Sequence, residues 1–323
     1  MPILIDGLWN EELDYLSGDD EGRFQRSESR FRDRIEAGGR FAPEPGRYHL
    51  YVSWACPWAH RTLIYRKLKG LEPLIGLSVV DPLMGSHSWH FSDAPGCIPD
   101  HVNGCDWLWQ LYLKADPHFT GVPTVPLLWD RREETVVNNE SSEIIRLFNS
   151  AFDGCGGDPE IDFYPEPLRD EIDRLNELTY EPINNGVYKA GFATTQTAYE
   201  EAFDTLFDSL DRLEALLGQR RYLAGDRISE ADWRLFPTLI RFDAVYHGHF
   251  KCNLHRLADY PNLSGYTREL YQHPGVRETV NFDHIKRHYY GSHRHLNPSG
   301  VVPKGPLLDF DQAHSRSGLQ SAP

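Results

Sequence analysis

The stretch Ser53-Trp54-Ala55-Cys56-Pro57-Trp58-Ala59-His60-Arg61 decides how this sequence is read. Immediately before it, Tyr48 to Ser53 is a short β-rich run. Immediately after, Trp58, Leu63, Ile64 and Leu68 recur at helical spacing, and Gly70 follows as a stop. Cys56 therefore stands between a strand and a helix, with Pro57 at the first helical position, where its missing N–H is not needed. A sulfur placed there faces the free amide donors and partial positive charge of the helix start, which favour thiolate over thiol. Most free cysteines are small buried hydrophobes, but the strand-Cys-Pro-helix setting argues for a reactive one. Ala59 fills the place three residues on where a dithiol oxidoreductase would carry its second cysteine. A disulfide formed at Cys56 therefore needs an outside thiol to resolve it. Glutathione is the abundant cytosolic candidate, and the expected cycle passes through a mixed disulfide.

Working outward, Leu77 to Val80 reads as a second strand, so the segment forms a β-α-β unit with a parallel pair and a right-handed crossover. A helix near Trp107 to Leu113 comes next. Thr124 to Trp129 and Thr135 to Val137 then read as strands joined by the polar turn Asp130 to Glu134. A helix over Ser142 to Phe148 closes the unit, and the order β-α-β-α-β-β-α is that of a thioredoxin-like domain over 46–152. Residues 1–45 read as a polar extension laid over the folded body. The Gly-, Pro- and Asp-dense segment 153–166 reads as a linker. An all-helical domain is expected over 167–296, and a Gly-, Pro- and Ser-rich tail over 297–323. In the helical part, Phe203, Leu206, Phe207, Leu210, Leu213, Leu216 and Leu217 form one apolar face, with Gly218 where a C-terminal cap belongs. Ser229 and Asp232 have capping-box spacing.

Composition narrows the function. A chain of 323 residues that is 40% hydrophobic is long enough for two cores. Its net charge of -15 argues against a nucleic-acid partner, because no basic excess exists to replace counterions. No run approaches the roughly 20 apolar residues of a membrane span, and Met1 to Asn10 lacks a signal-peptide pattern. Cytoplasmic location is expected. The five cysteines do not suggest a secreted disulfide framework. Cys97, His101 and Cys105 match neither usual paired zinc spacing, and the groups His247/His249 and His288/His293/His295 lack the i, i+4 spacing with an acidic neighbour of a catalytic zinc helix, so no metal is assigned.

Two further features suit a glutathione site. Val125-Pro126 opens the third strand, and in thioredoxin-like domains this bond is cis, turning the preceding backbone N–H and C=O toward a peptide ligand; an edge-strand proline is the plainer reading. In Asn138-Asn139-Glu140-Ser141-Ser142-Glu143, Ser141 and nearby backbone amides can hold a carboxylate while Glu140 pairs with an ammonium group. The γ-glutamyl end of glutathione has both groups, although helix capping alone would also explain the serines.

Cys56-Pro57-Trp58-Ala59-His60-Arg61, Thr124-Val125-Pro126 and Asn139-Glu140-Ser141-Ser142-Glu143 together resemble the glutathione transferase superfamily. Tyr188-Lys189-Ala190-Gly191-Phe192-Ala193 and Asn281-Phe282-Asp283-His284-Ile285-Lys286 narrow the resemblance to the Xi class, the glutathionyl-hydroquinone reductases. The resemblance implies a thioredoxin-like N-terminal domain, an all-α C-terminal domain and a homodimer. It implies that the Cys56 thiolate attacks a glutathionyl-hydroquinone at sulfur and that a second glutathione releases Cys56. By position, Trp89 stacks on glutathione, and Val122, Pro123, Thr124, Val125, Glu140 and Ser141 complete its pocket. Tyr188 matches the residue that exchanges a proton with the aromatic substrate, and Tyr246 and Tyr289 match tyrosines that reach the sulfur. Val122 stands where the family usually has arginine, and Ser88-Trp89 replaces a usual Gly-Trp. The alternatives are a broader Omega-type thiol transferase or dehydroascorbate reductase, and a non-catalytic transferase-like binding module.

Overall fold

The computed structural model describes residues 2–11 and 18–319. The remaining residues of the N-terminal extension and of the tail lie outside the described residues. Two compact units are present. The first comprises Met1–Leu16, Arg26–Ile161 and Thr279–Gly300; the second comprises Ser17–Gln25, Asp162–Glu278 and Val301–Pro323.

The first unit is built on strands β3 (Tyr48–Val52), β4 (Ile75–Val79), β5 (Leu127–Asp130) and β6 (Thr135–Asn138), in the order β4-β3-β5-β6. A separate antiparallel hairpin, β1 (Ile3–Ile5) and β2 (Leu8–Asn10), precedes them. β3 pairs parallel with β4 in the register Tyr48↔Ile75, and antiparallel with β5 in the register Tyr48↔Asp130. All five residues of β3 are buried, as a central strand covered on both faces requires. At the start of β3, the buried Arg47 guanidinium donates to Asp130 Oδ2 at 2.7 Å and ties the strand to the end of β5.

Helix α1 (Pro57–Leu68) packs on α3 (Ser141–Ser150), and α2 (Leu108–Ala115) lies against β6. α1 is closed by Gly70 at φ +66°, a conformation that costs glycine little. β5 starts at Leu127, not at Thr124 as the sequence suggests, because a proline cannot donate to a ladder and Val125–Pro126 is cis. Residues 153–161, the first part of the expected linker, are pinned by a fully buried lysine. Lys69 Nζ meets Ile161 O at 2.6 Å, Asp153 Oδ1 at 2.9 Å and also Asp158 O.

The second unit is helical: α4 (Arg169–Thr179), α5 (Gly186–Gly191), α6 (Gln196–Leu217), α7 (Glu230–Arg241), the single turn α8 (His247–His249) and α9 (Pro261–Gln272). Leu206, Phe207, Leu210, Leu213 and Leu217 of α6 are buried; Phe203 and Leu216 are only half-buried. Gly218 occupies the cap position with φ -70°, so the helix does not end in a left-handed glycine. Tertiary groups close it instead: Asn262 Nδ2 donates to Glu214 O at 3.2 Å and Arg316 Nη1 to Leu217 O at 3.1 Å. At the start of α7, Asp232 Oδ2 accepts from the Ser229 N–H at 2.7 Å, as the capping-box spacing predicts. π-helical turns at Tyr180–Asn184 and Phe242–Tyr246 precede α5 and α8. The final helix, α10 (Phe282–Ser292), packs in the sheet-containing unit although it follows the helical stretch in the chain. No helix among the described residues is long and apolar enough to cross a membrane.

Candidate active site

Cys56 is the N-cap of α1, with extended backbone at φ -74° and ψ 121°. Its Sγ accepts from the Ala59 N–H at 3.5 Å, so the amide of the third helical residue, in the first turn, points at the sulfur. The thiol also donates to Val125 O at 3.4 Å. The sulfur and the residue before the cis proline are thus in direct contact. Among the described residues no hydrogen-bond partner meets the Val125 N–H.

The chain before Val125 is held by a residue the sequence does not single out. Tyr112 Oη, on α2, donates to Thr124 O at 2.8 Å and accepts from the Thr124 N–H at 3.0 Å and from Asn139 Nδ2 at 3.2 Å. Val122, Pro123 and Val125, which flank Thr124 in the chain, are buried. Tyrosine in an aromatic-rich loop-and-helix region carries no local signal of this role, because both partner residues, Thr124 and Asn139, are distant in the chain.

Glu140 caps α3. Burial alone would push its carboxyl upward, but hydrogen bonds from the Ser142 N–H and hydroxyl, the nearby Arg61 charge and the Ser29 hydroxyl outweigh it and hold the carboxyl below its ordinary value. The distances are 3.0 Å from Ser142 N and 3.1 Å from Ser29 Oγ. Buried Ser141 accepts from Arg61 Nη1 at 3.2 Å. Arg61 is itself buried, with its guanidinium 4.6 Å from the Trp58 ring centre. Both residues belong to the Cys56 helix, so the Glu140-Ser141 corner is keyed to the helix that presents the cysteine.

Trp89 is buried, and its ring stacks on His288 of α10 with centroids 4.6 Å apart and planes at 21°. His288 Nδ1 donates to Pro82 O at 2.9 Å, fixing that helix to the loop leading to Trp89. The next residue, Tyr289, is 1% exposed and lies 5.4 Å from the His293 ring.

Tyr188 and Tyr246 belong to the second unit. Their rings lie 6.1 Å apart in one aromatic cluster, with Phe250 at 5.4 Å from Tyr188 and 5.5 Å from Tyr246. Phe24 and Phe192 complete it on the Tyr188 side. Gly191 makes room: a Cβ there would come within 2.2 Å of the Phe250 ring. Tyr246 is the last residue of one π-helical turn and Tyr188 lies in α5, the short helix that follows the other; such distortions are frequent at functional sites.

The cysteine at a helix start, the cis proline opposite it and the capped acidic corner define a thiol-handling site on a thioredoxin-like sheet followed by a helical unit. The glutathione S-transferase N-terminal domain matches residues 55–151 and its C-terminal domain residues 196–269. This chain belongs to the glutathione transferase superfamily. It is 56% identical over 306 residues to the glutathionyl-hydroquinone reductase PcpF of Sphingobium chlorophenolicum, covering 95% of this chain and 96% of that protein. It is 54% identical over 325 residues to the glutathionyl-hydroquinone reductase YqjG of Escherichia coli, covering 98% of each. The glutathione-bound structure of YqjG superposes with a TM-score of 0.90 over 98% of this chain and 99% of that one, at 51% identity. A Xi-class transferase from Natrialba magadii gives a TM-score of 0.92 at 48% identity, over 100% of this chain and 98% of that one. Within the superfamily, the chain is of the Xi class, the glutathionyl-hydroquinone reductases.

Proposed function

We propose that the protein reduces glutathionyl-hydroquinones to hydroquinones at the expense of glutathione, with Cys56 as the nucleophile. The observation that carries this reading is the position of Cys56 Sγ at the start of α1, accepting the Ala59 N–H and lying against Val125 O. A helix N-terminus favours the thiolate, the form that attacks sulfur.

In the first half-reaction the Cys56 thiolate attacks the sulfur that joins glutathione to the aromatic ring. A sulfur–sulfur bond forms and the carbon–sulfur bond breaks, with its electron pair staying on the ring carbon. That carbon takes a proton, which a neighbouring phenol can supply, and Tyr188 is assigned this role. Tyr246 and Tyr289 are assigned hydrogen bonds to the sulfur, which lower the thiol's pKa. In the second half-reaction a glutathione thiolate attacks the mixed disulfide, oxidised glutathione leaves and the Cys56 thiolate returns. One glutathionyl-hydroquinone and one glutathione thus give one hydroquinone and one oxidised glutathione.

Glutathione fits the residues present. The Val125 N–H suits a peptide backbone, the ionised Glu140 suits an ammonium group, and Ser141 with its adjoining amides suits a carboxylate. Trp89 offers an aromatic face, and Val122 and Pro123 shape the wall beside Thr124. A homodimer and a cytoplasmic location belong to the same proposal; a solution mass near twice 37.2 kDa and cell fractionation test them.

The test is mass spectrometry of Cys56 during turnover, combined with Cys56→Ser and Tyr188→Phe variants. The mixed disulfide should accumulate when the second glutathione is withheld, and Cys56→Ser should abolish turnover. Full activity of Tyr188→Phe on glutathionyl-hydroquinones would remove Tyr188 from its role and favour the broader thiol-transferase reading.

A further inference from the structure

The N-terminal hairpin touches both segments to which the reading above gives glutathione contacts. At its first strand, Leu4 is fully buried and exchanges both backbone hydrogen bonds with Gly121, at 3.0 and 2.9 Å. Gly121 leads directly into Val122 to Val125. The hairpin turn rests on the same stretch: the Asp6 N–H donates to Thr120 Oγ1 at 2.8 Å and the Gly7 N–H to Phe119 O at 3.1 Å. Gly7 has φ +76°, and a Cβ there would come within 2.0 Å of Pro117 O, so only glycine permits this approach.

At its second strand, Trp9 reaches the other segment. Its Nε1 donates to Ser86 O at 3.1 Å. Its ring stacks with Trp109 at 5.7 Å and with His87 at 6.2 Å, and Trp107 continues the stack on Trp109 at 5.9 Å. The tight turn held this way has Ser88 N donating to Gly85 O at 3.0 Å and leads straight to Trp89. Ser88 is strained, at φ +61°, and its buried hydroxyl has no hydrogen-bond partner among the described residues. A non-glycine residue persists in such a conformation only where its surroundings over-determine it. Trp9 is the hairpin's contribution to those surroundings.

We infer that the hairpin Ile3–Asn10 positions the glutathione site, with Trp9 holding the Ser86–Trp89 turn and Leu4 holding the chain into Val125. Trp9 is a positioning residue that acts through Trp89. This inference rests on the assignment of Trp89 and of residues 122–125 to glutathione binding.

The test compares Trp9→Ala, Trp9→Phe and, as a control, Leu8→Ala at a neighbour that is 74% exposed. Glutathione affinity is measured by calorimetry, turnover at saturating glutathione by hydroquinone release, and the Cys56 alkylation rate at fixed pH. Trp9→Ala should weaken glutathione binding about tenfold while turnover at saturation and the alkylation rate stay near those of the parent. Trp9→Phe, which keeps the ring and loses the N–H, should fall between, and Leu8→Ala should match the parent. Unchanged affinity in Trp9→Ala, with or without lower thermal stability, would overturn the inference. So would a loss confined to turnover at saturation. A parent protein that binds no glutathione overturns both readings; a parent that binds it but releases no hydroquinone overturns only the proposed reaction.

Discussion

Replacing Tyr112 with phenylalanine removes one oxygen and leaves the ring in place. That oxygen donates to Thr124 O and accepts from the Thr124 N–H and from Asn139 Nδ2. Tyr112 is fully buried, so Asn139, also buried, loses its partner away from bulk solvent. Thr124 is half-buried, so water can replace part of its loss. A net hydrogen bond contributes about 1 kcal/mol and an unsatisfied buried donor costs roughly 1–3 kcal/mol. The expected loss is therefore about 2–3 kcal/mol, below the simple sum because the bonds share one oxygen. Denaturant unfolding with an unchanged slope should report it as a lower midpoint. The loosened Thr124–Val125 chain should also weaken glutathione binding about tenfold, which corresponds to about 1.4 kcal/mol. A Tyr112→Phe variant within 0.5 kcal/mol or so of the parent in stability and equal to it in affinity would refute the claim that this hydroxyl sets the position of the segment.

Other consequences follow from single groups. His49 is buried against Ser78, which accepts from its Nε2 at 2.9 Å, and burial lowers its pKa to about 4 despite the opposing charge of Asp100. The unfolded chain therefore binds the extra proton first, so His49's contribution is intact above pH ~6.5 and is lost as the pH falls toward ~4, by roughly 3 kcal/mol in all. Urea unfolding across that range should show the slope, and His49→Gln should flatten it. Arg316 donates to the carbonyls of Leu217, Asn262, Arg220 and Arg221 in the second unit. Its Nε also lies 3.5 Å from Oε2 of the buried Glu269, so Arg316→Ala breaks a buried ion pair and should cost roughly 3–5 kcal/mol; unaltered thermal unfolding would contradict this.

Much of the first unit was legible because its signals are local. A β-run, Cys-Pro, helical spacing and Gly70 lie within two dozen residues, and they describe α1 and its N-cap as found. The third strand was misjudged at its start because β-propensity does not register that Pro126 cannot donate to a ladder. Gly218 stands at the C-cap of α6, as its place after an apolar helix predicts; the contribution of Arg316, 98 positions on, to closing that helix end has no local signal. Tyr112, Ser29 and Trp9 act through partners that are far off in the chain, so no periodicity or spacing could reveal them. The assignment of Tyr188, Tyr246 and Tyr289 to the reaction rests on a family resemblance; composition alone does not choose them from sixteen.

The most direct measurement is to incubate the protein with a glutathionyl-hydroquinone and glutathione, and to quantify free hydroquinone and oxidised glutathione over a range of pH. The account predicts one of each per catalytic cycle, and none of either from Cys56→Ser. No release by the parent at any pH, or equal release by Cys56→Ser, would contradict it.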